Sequence, residues 1–151
     1  MRHLIVISLT ILIIALIIYV LIHYVFISEE TRIERQIEKG RKAVENESIL
    51  SISSLISENY RGEFGQDRSE FFALIHQFFQ HVENSKINIV SREIDVIGNE
   101  AVVSVHFTLS GTINGQPFTG LEAEQMDKIR LRFVKQDGSW KVVETAPGNR
   151  R

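Results

Sequence analysis

Apolar residues run from Leu4 to Ile27 without a single charge, and as one helix this stretch covers roughly 36 Å, enough to cross a bilayer core about 30 Å thick. Tyr19, Tyr24 and Phe26 gather toward its C-terminal end, where aromatic rings settle at a membrane interface. A cleavable signal peptide fits poorly, because its apolar core spans only about 7–15 residues and Val25-Phe26-Ile27 offers no small-residue cleavage site. The expectation is a single-pass transmembrane anchor over residues 1–27, with the lipid bilayer as partner through Leu4 to Ile27.

Beyond it the period is helical. Ser28 to Glu45 reads as a juxtamembrane helix with Ile33, Ile37 and Val44 on one apolar stripe and Glu38 four residues before Lys42. Gly40 weakens that helix by about 1 kcal/mol relative to alanine. A second short helix carries Ile49, Ile52, Leu55 and Ile56, and Asn59-Tyr60-Arg61-Gly62 reads as a turn or short extended piece. A third helix begins at Asp67, where Asp67 and Glu70 form a capping-box pattern ahead of Phe71, Phe72, Leu74, Ile75, Phe78, Phe79 and Val82. Four phenylalanines so close together predict a thick buried face.

From Lys86 the period changes to two, which predicts strands over 86–97, 100–110, 124–135 and 140–145. On the second of these Ala101, Val103, Val105, Phe107 and Leu109 alternate with polar positions, the pattern of an antiparallel sheet covered on one face. Gly98-Asn99, Asn114-Gly115 and Asp137-Gly138 mark the turns. Helices first and strands afterwards is an α+β order. The domain so defined spans residues 28–147, ahead of a basic tail at 148–151.

Composition narrows the function. The 151 residues include no cysteine, which removes disulfides, zinc-thiolate sites and thiol catalysis. The net charge is −2, all acidic residues lie beyond Ile27, and no single-sign block occurs, which argues against nucleic acid as a partner. Arg32, Arg35, Lys39, Arg41 and Lys42 follow the apolar run, and positive-inside counting alone would keep the domain in the cytoplasm. A three-residue tail before a long apolar run is, however, the form of an inward-facing signal anchor. The reading taken is the bacterial inner membrane with the C-terminal domain periplasmic.

Several segments together resemble the nuclear transport factor 2-like (cystatin-like) superfamily. They are Leu55-Ile56-Ser57-Glu58-Asn59-Tyr60, the helix from Asp67 to Val82, the strand ending Ile94-Asp95-Val96-Ile97-Gly98-Asn99-Glu100-Ala101, and the closing Phe133-Val134-Lys135-Gln136-Asp137-Gly138-Ser139-Trp140-Lys141-Val142-Val143. The resemblance covers about residues 29–146 and is nearest to small membrane-anchored bacterial members of unknown function. It implies a cone, in which about three helices pack into the concave face of a curved antiparallel sheet. Members include isomerase-like enzymes, dehydratases and transport adaptors, so the fold alone does not fix a role.

The chemical inventory is sparse. Tyr60, Phe72 and Trp140 are the candidates for the inside of the cone. An isomerase-like proton transfer would also need a buried acid or base, yet Arg61-Gly62-Glu63-Phe64 supplies no aspartate-rich stretch there. His76 and His81 lie five apart on one helix and so out of phase, which makes no metal pair. No phosphate loop or nucleophile elbow occurs, and no cofactor is implied. His106, Arg130 and Arg132 fall on the outer sheet face as a candidate partner surface for a homodimer or an envelope protein. The leading expectation is a membrane-tethered binding or scaffolding module of the cell envelope without an identified reaction. The alternative is a small-molecule binder or isomerase/dehydratase-like enzyme using the cone.

Overall fold

The computed structural model describes residues 10–19, 28–63, 65–120 and 128–148. Residues 10–19 form helix α1. The expected membrane-crossing helix is overturned, because among the described residues no helix is long and apolar enough to cross a membrane. Residues 1–9 and 20–27 lie outside the described residues, as do Phe64, residues 121–127 and the end of the basic tail.

Three further helices follow, and each starts where its sequence supplies an acceptor for an orphan backbone N–H. Helix α2 (Glu29–Glu45) is capped by Ser28, whose hydroxyl accepts from the Thr31 amide, and carries Glu29 and Glu30 in its first turn, where the helix dipole favours them. Helix α3 (Ile49–Leu55) is capped by Ser48 and buries Ile52 and Leu55. Helix α4 (Arg68–His81) has the full capping box: Asp67 accepts from the Ser69 and Glu70 amides, and Glu70 accepts from the Asp67 amide. None of the α4 side chains is buried, so its phenylalanine face is only partly covered rather than thickly buried.

The strands are β1 (Ile56–Gly62), β2 (Val82–Ile97), β3 (Glu100–Ile113), β4 (Gln116–Thr119), β5 (Lys128–Gln136) and β6 (Ser139–Pro147). They form one sheet in the order β1-β6-β5-β3-β2, with β4 on β3. The fold is the expected α+β cone, but the sheet is mixed rather than antiparallel, because β1 runs parallel to β6. That pairing turns Asn59-Tyr60-Arg61-Gly62 into strand. Asn114-Gly115 and Asp137-Gly138 close hairpins with both residues at positive φ, between 48° and 77°, the geometry that a right-twisted two-residue hairpin requires. Register shifts in β2 near Lys86 and Ser91, and in the β5–β6 pair at Phe133, bend the sheet around the helices.

The core lies between the concave sheet face and α2. Ala101, Val103 and Val105 of β3, Phe133 of β5 and Trp140 and Val142 of β6 pack with Ile33 and Ile37. Trp140 is 2% exposed, and its indole N–H donates to Glu29 Oε2 at 2.7 Å. The other Glu29 oxygen accepts from Lys135 Nζ at 2.8 Å, and the same ammonium lies 5.9 Å from the centre of the Trp140 ring. One carboxylate therefore ties the first turn of α2 to the β5–β6 hairpin. At the other end of α2, Glu45 Oε1 accepts from the Ile87 amide at 2.9 Å.

The hydrogen bond from Lys135, and then that from Trp140, hold the Glu29 carboxyl below its ordinary value. A carboxylate whose pKa is lowered by folding contributes stability that is present above its unfolded pKa and lost as pH falls through the folded one. Glu29→Gln is expected to melt below wild type at neutral pH, with the gap narrowing from about pH 6 to about pH 3. Thermal melts across that range check it, and a gap independent of pH would deny the ion pair any share of the effect.

Candidate functional site

The bent sheet and the incompletely buried α4 leave a cavity of about 360 Å³ between them, open on one side. Its walls come from α2, α3 and α4, from Ile56 at the start of β1 and from the concave faces of β2, β3, β5 and β6. Phe71, Ile75 and Phe78 of α4 face Ile89, Val105 and Phe107 of the sheet across it. The volume sits at the lower end of the roughly 300–1,000 Å³ range of small-molecule sites. Gly40 of α2 widens it: a Cβ there would meet Leu55 Cδ1 at 3.5 Å, and the absence of any longer side chain leaves that wall open.

Only Gln36, Arg41 and Thr145 bring polar side chains to the described lining. Arg41 is fully engaged. Its Nε lies 3.0 and 3.1 Å from the two Glu38 oxygens and its Nη1 lies 2.7 Å from Glu45 Oε2, so two carboxylates neutralise one guanidinium. The hydrogen bond to Glu38 is the main cause of the raised Arg41 pKa and of the lowered Glu38 pKa. Thr145 is engaged as well, through a 2.5 Å hydrogen bond between its hydroxyl and that of Tyr60. Gln36 differs: its Oε1 is buried and finds no hydrogen-bond partner among the described residues.

The three candidates for the inside of the cone stand around this cavity and do not line it. Tyr60 is buried behind the wall with its ring 4.9 Å from that of Phe71. Burial pushes its phenol pKa up, against the lowering effect of the Thr145 bond. Phe72 packs edge-on against Phe71 at 5.4 Å, under the Arg68 guanidinium. Trp140 belongs to the Glu29 clamp. The lining instead takes residues that the sequence reading passed over, above all Gln36, and the signal was there: Gln36 lies three residues after Ile33 and four before Gly40, a polar residue inside the apolar stripe of α2.

The outer sheet face gathers the other candidates. Across it run Asp95, Val102, Arg132 and Glu144 in one row, and Glu93, Ser104, Arg130 and Ala146 in the next. Arg132 pairs with Glu144 at 3.1 Å, Arg130 is exposed, and His106 stands half-buried opposite Ser91 and Lys128. Among the described residues no group of three or more His, Cys, Asp or Glu could hold a metal ion.

No family model matches the sequence, and no curated protein matches it either. Solved structures do match in shape. The chain is similar to a protein of unknown function from Mycobacterium tuberculosis, at 15% identity over 82% of this chain and 77% of that one, with a TM-score of 0.66. It is also similar to a nuclear transport factor 2-like superfamily protein from Salmonella enterica, at 14% identity over 77% of this chain and 87% of that one, TM-score 0.63. The Bdellovibrio bacteriovorus protein Bd1075 matches at 14% identity and TM-score 0.63 over 77% of this chain, which spans only 40% of that larger protein. At these identities the likeness establishes a nuclear transport factor 2-like fold and nothing about activity.

Tyr60 stands behind the cavity wall, with its hydroxyl tied to that of the lining residue Thr145. Tyr60→Phe leaves the Thr145 hydroxyl without this partner and is expected to cost about 1 kcal/mol by urea denaturation, the usual worth of one such bond; an unchanged midpoint would deny the bond a share in stability.

Proposed function

We propose that the domain is a non-catalytic binding module whose cone cavity takes a small, uncharged, largely apolar molecule. The observation that carries the reading is the apolar cavity of about 360 Å³, in whose described lining the one cation is already neutralised. Burial of apolar surface supplies the affinity at roughly 25 cal/mol per Å². The described lining carries no Asp, Glu or His, and the nearest phenol is engaged with Thr145, which weighs against the isomerase/dehydratase-like alternative.

Saturable binding of the neutral dye N-phenyl-1-naphthylamine is the test. Wild type should enhance its fluorescence with one dye per chain. Ile75→Trp, which fills the cavity from α4, should weaken binding about tenfold or more without lowering the melting temperature. Equal binding by a folded Ile75→Trp variant, or no saturable binding by wild type, sinks the reading.

A second reading rests on the charge pattern of the outer face. Glu93 and Asp95 on β2 and Arg130 and Arg132 on β5 flank β3, so an acidic and a basic column stand roughly 10 Å apart at the usual strand spacing. A twofold axis over β3 sets each acidic column against the partner copy's basic one, with Val102 at the centre. Sedimentation at high micromolar concentration should find a dimer that Arg130→Glu with Arg132→Glu dissociates and that added Glu93→Arg with Asp95→Arg restores. A monomeric wild type rejects it.

A further inference from the structure

A second hollow, of about 500 Å³, opens between α2 and α3, and none of its described lining residues belongs to the cone cavity. Arg35, Lys39 and Lys42 line it at i, i+4 and i+7 of α2, so three exposed cations share one helix face over about 10 Å of axis. Such neighbours repel one another, and the acids of the same helix do not relieve them. Glu29 pairs with Lys135, Glu34 with Arg92, and Glu38 and Glu45 with Arg41. The Glu38 and Lys42 pair that a spacing of four favours therefore does not form, because both Glu38 oxygens turn to Arg41. Among the described residues Arg35 and Lys42 have no acid within ion-pair distance. Lys39 reaches only the Ser54 hydroxyl, at 3.2 Å, and Lys141 of β6 donates to the Ser54 carbonyl.

The facing wall is hydroxylic. Ser48 donates its proton to Ser51 Oγ at 2.9 Å, and Ser54 donates to the Ser51 carbonyl at 2.7 Å, so the Ser51 hydroxyl proton has no acceptor among the described residues. The chain as a whole carries a net charge of −2, so this concentration of positive charge is local to the groove.

We propose that the groove between α2 and α3 binds a small molecule bearing two or more linked phosphoryl groups, held by Arg35, Lys39 and Lys42, with the Ser51 hydroxyl donating to a phosphoryl oxygen. The inference goes beyond the cone reading and stands apart from it. A guanidinium fork, two point-charge ammoniums and a free hydroxyl proton are a donor set that phosphate oxygens accept. Cations spaced along about 10 Å match a short chain of phosphoryl groups better than a single ion. The one acid in the described lining, Glu38, is neutralised by Arg41 and does not oppose an anion. A hollow of this volume lies within the roughly 300–1,000 Å³ range of small-molecule sites.

The test is calorimetric titration of the whole chain at low salt with tripolyphosphate, orthophosphate and hexaglutamate. Tripolyphosphate is expected to bind saturably at one per chain and about tenfold or more tighter than orthophosphate. Arg35→Gln with Lys42→Gln should weaken it about tenfold or more, and Ser51→Ala about threefold. The double variant should melt no lower than wild type, because it removes like charges that have no partner. If it does not fold, Arg35→Gln alone reads the loss. Lys86→Gln with Lys128→Gln, two exposed lysines of other elements, removes the same charge and should change the affinity by less than about twofold. An equal loss in that control overturns the groove, since net charge then accounts for the binding. Orthophosphate bound as tightly as tripolyphosphate overturns the linked phosphoryl groups, and hexaglutamate bound more tightly overturns the phosphate class. Absence of saturable tripolyphosphate binding by wild type overturns the proposal and leaves the cone reading standing.

Discussion

The Glu29 carboxylate governs how the helical layer sits on the sheet. It occupies the first turn of α2, where the helix dipole favours an anion, and its two oxygens divide between the Trp140 indole and the Lys135 ammonium on the closing hairpin. Trp140 is thereby buried with its N–H satisfied, which is the condition under which so large an aromatic can be sealed into a core without a penalty. With Glu45 on the Ile87 amide at the other end, α2 becomes a beam fixed at two points, and Ile33 and Ile37 between them complete the core.

The cavity follows from that beam and from the bend of the sheet. Register shifts curve β2 and the β5–β6 pair, and α4 lies over the concave face with none of its side chains fully buried. Phe71, Ile75 and Phe78 therefore cover the hollow without filling it. Such a hollow costs dispersion contacts that a filled core would keep, and a ligand that restores those contacts is stabilised by the same amount. The polar groups around it divide by engagement: Arg41 and Thr145 are committed to protein partners, and Gln36 is not.

Much was legible in the residues because local signals encode it. Ser28, Ser48 and Asp67 start helices through hydrogen bonds to amides two or three residues on, and Asn114-Gly115 and Asp137-Gly138 close hairpins because their backbone tolerates positive φ. The alternation from Ala101 to Leu109 assigned the covered face of β3 correctly, since period two admits no other arrangement of side chains. The apolar run Leu4–Ile27 read as a membrane span on hydropathy alone, whereas among the described residues no helix is long and apolar enough to cross a membrane.

What lay beyond the sequence depends on residues distant along it. The partners of Tyr60 and Trp140 are 85 and 111 positions away, so no local pattern could assign the one to a wall brace and the other to a clamp. The parallel pairing of β1 with β6 escaped for the same reason, its burial lacking clean alternation. Whether the phenylalanines of α4 fill the cone or only roof it is a matter of sheet curvature. The sequence by itself determined where elements begin, end and turn, and which sheet face is apolar, because hydrogen bonds and periodicity act over a few residues. The assembled fold settled which polar groups are satisfied and which space is left empty, because those are sums over many elements at once.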